Sequence, residues 1–245
     1  MVIINYCELM KRGILSGSHL RGLARKLKDA DALILSAVGR DELLDKLTTE
    51  QYNETAVQLG ARWVISPDDY VYDSDCKYPF YQGVHFSRAI ERALRLLKLA
   101  RGHYNVIGLA IGSSIFQFRE LVATLEEHGV KEFALPCGDL LKQVGNRKRV
   151  IGDILAFVNH LKSLKLRSLL LGVDSPQVIA LVKPDSFASS AWSFDAARGY
   201  FYTPEGKRVK GSVKCQHTIC TSSEVKGIEL SGVHNILANR DLCQN

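Results

Sequence analysis

The stretch FSRAIERALRLLKLARGHYNVIGLAIG, residues 86–112, joins a helical pattern to a strand-like pattern. In its first half, Ile90, Leu94 and Leu97 fall on one stripe of a helix, with arginines on the opposite side. Its second half, NVIGLAIG (105–112), is a short apolar run of the kind found in strands that are buried on both faces. The stretch therefore predicts a helix packed on a parallel sheet, the repeating unit of an α/β fold.

The same alternation extends along the chain. A second amphipathic helix, FRELVATLEEHGV (118–130), ends in a glycine stop, and a short strand is expected around Phe187. The other apolar runs of strand length are VIINYC (2–7), ALILSAV (32–38), RWVISP (62–67), EFALPCG (132–138) and RSLLLGV (167–173). Seven strands in this order predict an α/β protein whose nearest closed architecture is a TIM-like (β/α)8 barrel. An open doubly wound sheet is the alternative.

Composition and the N-terminal sequence indicate the size of the core and the cellular compartment. The chain has 245 residues, of which 46% are hydrophobic, enough for one large buried core. Its N-terminus has no basic leader or small-residue cleavage site, and no apolar stretch is long enough to span a bilayer. We therefore expect a cytoplasmic protein with reduced cysteines and no membrane partner.

The charge of the chain is compatible with an anionic partner. The formal net charge is +6 and the pI is about 9.0. Basic residues concentrate in GNRKRV (145–150), KSLKLR (162–167) and GKRVKGSVK (206–214), a distribution that favours nucleic acid. Ordinary solvated faces are the alternative. No glycine-rich dinucleotide motif and no Walker lysine are present, which argues against the common nucleotide-cofactor enzymes.

Acidic residues lie close to several of the expected strands. Asp68 and Asp69 follow RWVIS, and Asp185 opens a long loop-like segment that contains Trp192. Carboxylates at strand ends could act as nucleophile, base or hydrogen-bond partner of a heterocycle. Asp69 could equally cap the N-terminus of a helix.

Cysteine and histidine cluster near the C-terminus, in VKCQHTICTSS (213–223) and SGVHN (231–235). In a reducing compartment such a cluster indicates a metal site more often than a disulfide. A chance cluster on a surface hairpin is the alternative. The remaining cysteines are expected to be buried or incidental thiols: Cys7, Cys76, Cys137 and Cys243.

Several segments together resemble one family, the queuine/archaeosine tRNA-guanine transglycosylases. In chain order they are GARWVISPDDY, VIGLAIGSS, KEFALPCGDL, LLLGVDSPQ, PDSFASSAWSFDAARGYFYTPEGKR, CQHTIC and VHN. The resemblance runs from about Gln51 to the C-terminus. The short chain looks more like the branch of deoxypurine-in-DNA protein A type, which inserts 7-deazaguanine bases into DNA.

The resemblance implies a zinc-containing (β/α) barrel over residues 1–205, followed by a zinc-binding segment over residues 206–245. In that family, Cys-x-Cys-x-x-Cys and a later histidine hold a structural zinc. The corresponding ligands of Zn²⁺ here are Cys215, His217, Cys220 and His234, with a histidine in place of the middle cysteine. Thiolate and imidazole are both good zinc ligands, and four of them close a tetrahedral site.

The resemblance also implies an activity. The family exchanges guanine for a 7-deazaguanine base in nucleic acid through a covalent bond between the sugar and an aspartate. Asp68 matches the aspartate that reads the guanine edge, and the other implied base-binding positions are Ile111, Gly112 and Gly138. The implied partners are DNA or tRNA, a 7-deazaguanine base, and a second subunit in a homo- or heterodimer.

The chain departs from the family pattern in the site itself. The second aspartate of the paired motif, which is the family nucleophile, corresponds to Ala188, whereas Asp185 matches the first. Asp185 or Asp195 would have to serve as the catalytic nucleophile. Ile111 stands where the family has a base-reading glutamine, and LILSAVGRDELL has no acid before its glycine.

Three interpretations follow from this pattern. The first is a transglycosylase of DNA or tRNA, with Asp185 as the nucleophile, Asp68 as the base reader and a structural zinc. The second is a catalytically inactive, nucleic-acid-binding partner subunit of an active homologue, which the alanine at position 188 favours. The third is an unrelated barrel enzyme with a small-molecule substrate.

Overall fold

A computed structural model describes most of the first three quarters of the chain and little beyond. The described residues are 2–15, 17–28, 33–38, 42–69, 79–112, 115–137, 147–173, 175–189, 198, 200–202 and 208–210. The chain divides into two compact units, Met1–Pro136 and Cys137–Asn245. The sequence boundary expected between residues 205 and 206 falls outside the described residues.

The first unit contains five parallel strands that pair in chain order. They are β1 (Val2–Asn5), β2 (Leu33–Ser36), β3 (Trp63–Ile65), β4 (Asn105–Leu109) and β5 (Glu132–Pro136). A doubly wound sheet reverses its strand order around β1, whereas these strands follow one another without a reversal. The α/β class is confirmed, and the winding is that of a TIM-like fold.

Helices connect these strands. They are α1 (Tyr6–Lys11), α2 (Gly17–Lys26), a 3-10 helix (Glu42–Lys46), α3 (Thr49–Leu59), α4 (Pro79–Ala100) and α5 (Ile115–Glu127). The α3 helix shows why they begin and end where they do. The Thr48 hydroxyl accepts a hydrogen bond from the N–H of Gln51 at 3.3 Å, and Gly60 ends the helix at φ +70°.

The buried face of α4 differs from the predicted one. Ile90, Leu94 and Leu97 are only partly buried. The fully buried line instead consists of Phe86, Ala89, Ala93, Leu96 and Ala100. Small alanine side chains let a helix approach a sheet closely, so the line that contains them is the face that packs on the strands. The larger side chains of Ile90, Leu94 and Leu97 lie beside this face.

The second unit contains α6 (Arg147–Ser163), β6 (Arg167–Leu171), α7 (Pro176–Val182), β7 (Ser186–Ala188), β8 (Tyr200–Tyr202) and β9 (Arg208–Lys210). The β6 and β7 strands are parallel, and β8 pairs with β9 in an antiparallel hairpin that was not predicted.

All seven predicted strands are present, each within a few residues of its expected position. The residues that the structure describes contain no eighth parallel strand, so closure of a (β/α)8 barrel is not shown. Nor does this part of the chain include a helix long and apolar enough to cross a membrane.

Candidate functional site

The carboxyl ends of β1, β2 and β3 are tied together by hydrogen bonds. The side-chain amide of Asn5, the last residue of β1, donates to the carbonyl of Val38 at 2.9 Å. The backbone N–H of Asp68, beyond β3, donates to the carbonyl of Ala37 at 3.4 Å. These contacts hold the segments that follow the three strands at one edge of the sheet.

The same edge extends to β4 through Ser66. Its buried hydroxyl accepts a hydrogen bond from the N–H of Leu109 at 2.7 Å, and its own N–H donates to the carbonyl of Ile107 at 2.9 Å. The segment that carries Asp68 therefore leaves β3 in a defined direction. In barrel enzymes this edge is the one that holds the chemistry.

Asp68 lies in this segment with its residue surface 8% exposed. One carboxylate oxygen, Oδ1, accepts a hydrogen bond from the N–H of Asp69 at 2.8 Å. Its backbone carbonyl accepts a hydrogen bond from Nη1 of Arg92 at 3.3 Å. The predicted base-reading residue is therefore an oriented carboxylate at the carboxyl end of a parallel strand.

Asp69 is buried and is surrounded by basic side chains of α4. Arg88 binds both of its oxygens, with Nη2 2.6 Å from Oδ1 and Nε on Oδ2. The Nδ1 atom of His85 lies 2.6 Å from Oδ1, and Nη1 of Arg92 lies 3.5 Å from Oδ2. Asp69 is thus the centre of an ion-pair cluster that joins the end of β3 to α4.

These contacts lower the pKa of Asp69. Burial by itself disfavours the charged carboxylate, but the hydrogen bonds from Arg88 and His85 and the positive charges of Arg88 and Arg92 outweigh burial. Asp69 is therefore ionised near neutral pH and does not suit the role of a general acid. Its position instead fixes the orientation of His85 and Arg88.

The sequence reasoning did not single out His85, Arg88 or Arg92 as site residues. Their spacing of i, i+3 and i+7 places them on one face of α4. That spacing, together with an acidic pair after the preceding strand, was the available signal. That signal is weak, because arginines opposite an apolar stripe are also typical of the solvated side of a helix.

Ile111 and Gly112 follow β4 and are both buried. A Cβ atom added to Gly112, at φ +157°, would lie 2.8 Å from the Cβ of Gln117 in the first turns of α5. The Ile111 side chain carries no polar atom with which to read a base. Gln117 is a polar side chain at this loop that the sequence reasoning missed.

Asp185 lies at the opposite end of its strand from the position expected for a catalytic residue. It immediately precedes β7, and its Oδ2 accepts hydrogen bonds from the backbone N–H and the hydroxyl of Ser168, both at 2.8 Å. Ala188 ends β7, paired with Leu171 at the end of β6. Because a strand rises about 3.3 Å per residue, Asp185 is about 10 Å from the position that Ala188 occupies.

The other predicted site residues lie outside the described residues. They are Gly138, Asp195, Cys215, His217, Cys220 and His234. Within the described ranges, no group of three or more histidine, cysteine, aspartate or glutamate side chains could hold a metal ion. Cys7 and Cys137 are buried, as expected for thiols of the core, and burial raises the pKa of Cys137.

No protein-family model matches the chain, and no curated protein matches it either.

Proposed function

We propose that the chain is a transglycosylase-like protein of the cytoplasm that exchanges guanine for a 7-deazaguanine base in DNA or tRNA. The observation that carries the proposal is the position of Asp68. The residue that matches the base-reading aspartate of the family lies at the carboxyl end of β3, in a sheet wound in chain order. TIM-like folds bind their substrates at that edge.

The surroundings of Asp68 suit recognition of a guanine-type base. A carboxylate accepts hydrogen bonds from both N–H groups on the Watson–Crick edge of guanine. The N–H of Asp69 holds the side chain of Asp68, and the guanidinium of Arg92 holds its backbone carbonyl. The carboxylate is therefore oriented before a base binds, and binding costs little conformational entropy. The base must first leave its stack, at a cost of a few kcal/mol.

The placement of Asp185 supports Asp195 as the nucleophile. The Asp185 carboxylate is bound to Ser168 before β7 begins, at the amino end of the strand. In the proposed reaction, a carboxylate oxygen of Asp195 bonds to C1′ of the nucleotide as the bond from C1′ to N9 of guanine breaks. N9 of the incoming base then attacks C1′ and releases the carboxylate.

Two further features belong to the proposal. Zn²⁺ held by Cys215, His217, Cys220 and His234 would stabilise the C-terminal segment without taking part in the chemistry. Exposed basic residues of the second unit would contact phosphates of the nucleic acid, namely Lys148, Arg149, Lys162, Lys165 and Arg167.

The second candidate is a catalytically inactive subunit that binds nucleic acid for an active homologue in a dimer. Ala188 favours this role, because it puts a methyl group at the carboxyl end of β7, where the family has its nucleophile.

A trapping assay distinguishes the two candidates. Purified protein is incubated with labelled duplex DNA or with tRNA, with and without a 7-deazaguanine base, and covalent adducts are resolved on a denaturing gel. We expect an adduct with the wild type and with Asp185→Ala, and none with Asp195→Ala. Binding without an adduct on either polymer would instead support the inactive subunit, and loss of the adduct only in Asp185→Ala would restore Asp185 as the nucleophile.

A further inference from the structure

Phe116 is the most exposed large apolar side chain in the described part of the chain, with 75% of its surface exposed. It is the second residue of α5, and two residues along a helix turn the side chain by about 200°. Phe116 therefore points away from the face of α5 that packs in the core. The buried residues of that face are Phe118, Leu121, Val122 and Leu125.

Phe116 lies at the same edge of the first unit as Asp68. It is next to Gln117, whose Cβ would be 2.8 Å from a Cβ atom added to Gly112, just beyond the carboxyl end of β4. The hydroxyl of Ser66 accepts a hydrogen bond from the backbone of β4, and Asp68 is two residues beyond Ser66. The exposed ring and the proposed base reader thus belong to segments that follow neighbouring parallel strands.

An exposed cation, Arg119, lies beside the ring on α5. Residues three apart on a helix are neighbours on its surface. The positions three and four residues before and after Arg119 hold no acidic residue that could pair with it along the helix. Glu120, four residues after Phe116, lies on the other side of the ring, so an anion would bind on the side of Arg119.

An exposed aromatic ring beside an arginine suits one kind of ligand, an unpaired nucleotide. A base stacks on the face of the ring, and the guanidinium pairs with a phosphate. Base exchange produces such a nucleotide, because the base that leaves its stack deprives its neighbour of a stacking partner. The ring of Phe116 would replace that partner without selecting one base over another, since every base has a flat apolar face.

We propose that Phe116 and Arg119 bind the nucleotide next to the one whose base is exchanged. The base of this neighbour stacks on the Phe116 ring, and its phosphate pairs with Arg119. The inference rests on the proposed function, because Asp68 marks the position of the exchanged base. DNA and RNA share the chemistry that the site recognises, and the probes below distinguish them.

The first test measures the affinity of the whole protein for fluorescein-labelled oligo(dT) and oligo(U) of about a dozen nucleotides, by fluorescence anisotropy. Phe116→Ala is expected to raise Kd about 10-fold, whereas Phe116→Tyr keeps the ring and should bind like the wild type. The matched control is Val57→Ala, another exposed apolar residue. Val57 is near the end of α3 that leads into β3, toward the opposite edge of the sheet, so its Kd should not change.

The second test measures the contact with phosphate through its dependence on salt. Arg119→Gln should reduce the slope of log Kd against log salt concentration by about 0.7, because one phosphate contact to a single strand is lost. Lys98→Gln is the control, since Lys98 is an exposed cation near the C-terminal end of α4 and should leave the slope unchanged. An unchanged slope in Arg119→Gln would overturn the pairing of Arg119 with a phosphate.

The outcomes separate this inference from the exchange function. A loss of affinity in Phe116→Ala with either oligonucleotide supports the stacking contact and identifies the polymer. Equal affinities of Phe116→Ala and the wild type, an equal loss in Val57→Ala, or no binding of either probe by the wild type would overturn it. A loss specific to Phe116→Ala in a protein that forms no covalent adduct would support the nucleotide site and refute the exchange function.

Discussion

The guanidinium of Arg88 holds the carboxylate of Asp69 at both oxygens, with Nη2 2.6 Å from Oδ1 and Nε on Oδ2. The side chain of Asp69 is fully buried, whereas that of Arg88 is 37% exposed. The pair joins the segment after β3 to α4, and it fixes both His85 and the segment that carries Asp68. The ion pair between Asp69 and Arg88 therefore contributes both to the stability of the fold and to the geometry of the candidate site.

Asp69→Asn is expected to lower the free energy of unfolding at pH 7 by about 3 kcal/mol, because the basic side chains around it lose their counter-charge. The pKa of Asp69 is lowered in the folded state. Its stabilisation is therefore complete above the unfolded pKa of about 3.9 and is lost as the pH falls through the lower folded value.

Urea denaturation from pH 7 to pH 2.5 measures this difference. The difference in the free energy of unfolding between the wild type and Asp69→Asn should be constant near neutral pH and should decrease as the pH falls below about 3.9. The control is Glu50→Gln, which removes an exposed partner of Arg95 at 2.9 Å and should leave the free energy of unfolding nearly unchanged, because water screens an exposed ion pair. A constant difference across the whole pH range would contradict the assigned charge of Asp69.

Asp185 and Ser168 are expected to act as one structural unit. The Ser168 hydroxyl donates to Oδ2 of Asp185 at 2.8 Å and lies 3.0 Å from the N–H of Asp185, from which it accepts. Each single change to alanine should cost about 1–2 kcal/mol. A double-mutant cycle should show coupling above about 0.5 kcal/mol. Additive losses measured by denaturation would contradict the pairing.

Tyr52 and Tyr6 form a matched pair in the core of the first unit. Their rings are edge to face, with centroids 5.1 Å apart. The Tyr52 hydroxyl lies 2.8 Å from the carbonyl of Ile65 and 3.1 Å from that of Leu35. The buried Tyr6 hydroxyl has no hydrogen-bond partner among the described residues.

Removal of the two hydroxyl groups should therefore have different effects. Tyr52→Phe is expected to cost about 1–3 kcal/mol, because it removes a buried hydrogen bond to the carbonyls of Ile65 and Leu35. Tyr6→Phe should be close to neutral, because burial of its hydroxyl is not compensated. The Thr55 hydroxyl near Tyr6 donates its single hydrogen to the carbonyl of Gln51 at 2.9 Å, so it does not donate to the Tyr6 hydroxyl. Equal losses in thermal and urea denaturation would contradict this difference.

Gly112→Ala tests the loop after β4. The new methyl group would lie 2.8 Å from the Cβ of Gln117, so the start of α5 would have to move, at a cost of about 1–3 kcal/mol. The control is Gly152→Ala, within α6, where a Cβ meets nothing within 4 Å. It should stabilise the protein by up to about 1 kcal/mol. Circular dichroism during urea unfolding measures both changes.

The zinc expectation can be tested by metal analysis. We expect the purified protein to contain about one Zn²⁺ per chain. Cys220→Ser should lose the metal, whereas Cys137→Ala, in the core of the second unit, should retain it. Inductively coupled plasma mass spectrometry after gel filtration measures the zinc content. A wild type without zinc would contradict the assigned ligands.

Part of the candidate site could be predicted from the sequence. Asp68 follows an apolar run, and residues that follow a parallel strand lie at the carboxyl edge of the sheet, where barrel enzymes hold their chemistry. The position of Asp68 could therefore be predicted from the local sequence pattern alone. The environment of Asp69 could not be predicted in the same way. Its partners His85 and Arg88 are 16 and 19 residues away along the chain. The sequence pattern of an arginine on a helix is the same whether the side chain faces water or a buried carboxylate.

The sequence by itself determined the α/β class and the order of its strands, because apolar runs and helical periodicity are local properties of the chain. Tertiary structure decided the surroundings of each carboxylate. It put Asp185 at the amino end of β7, bound to Ser168, and it enclosed Asp69 among the basic side chains of α4. Burial, strand direction and contacts between distant segments determine these surroundings. None of the three can be read from neighbouring residues in the sequence alone.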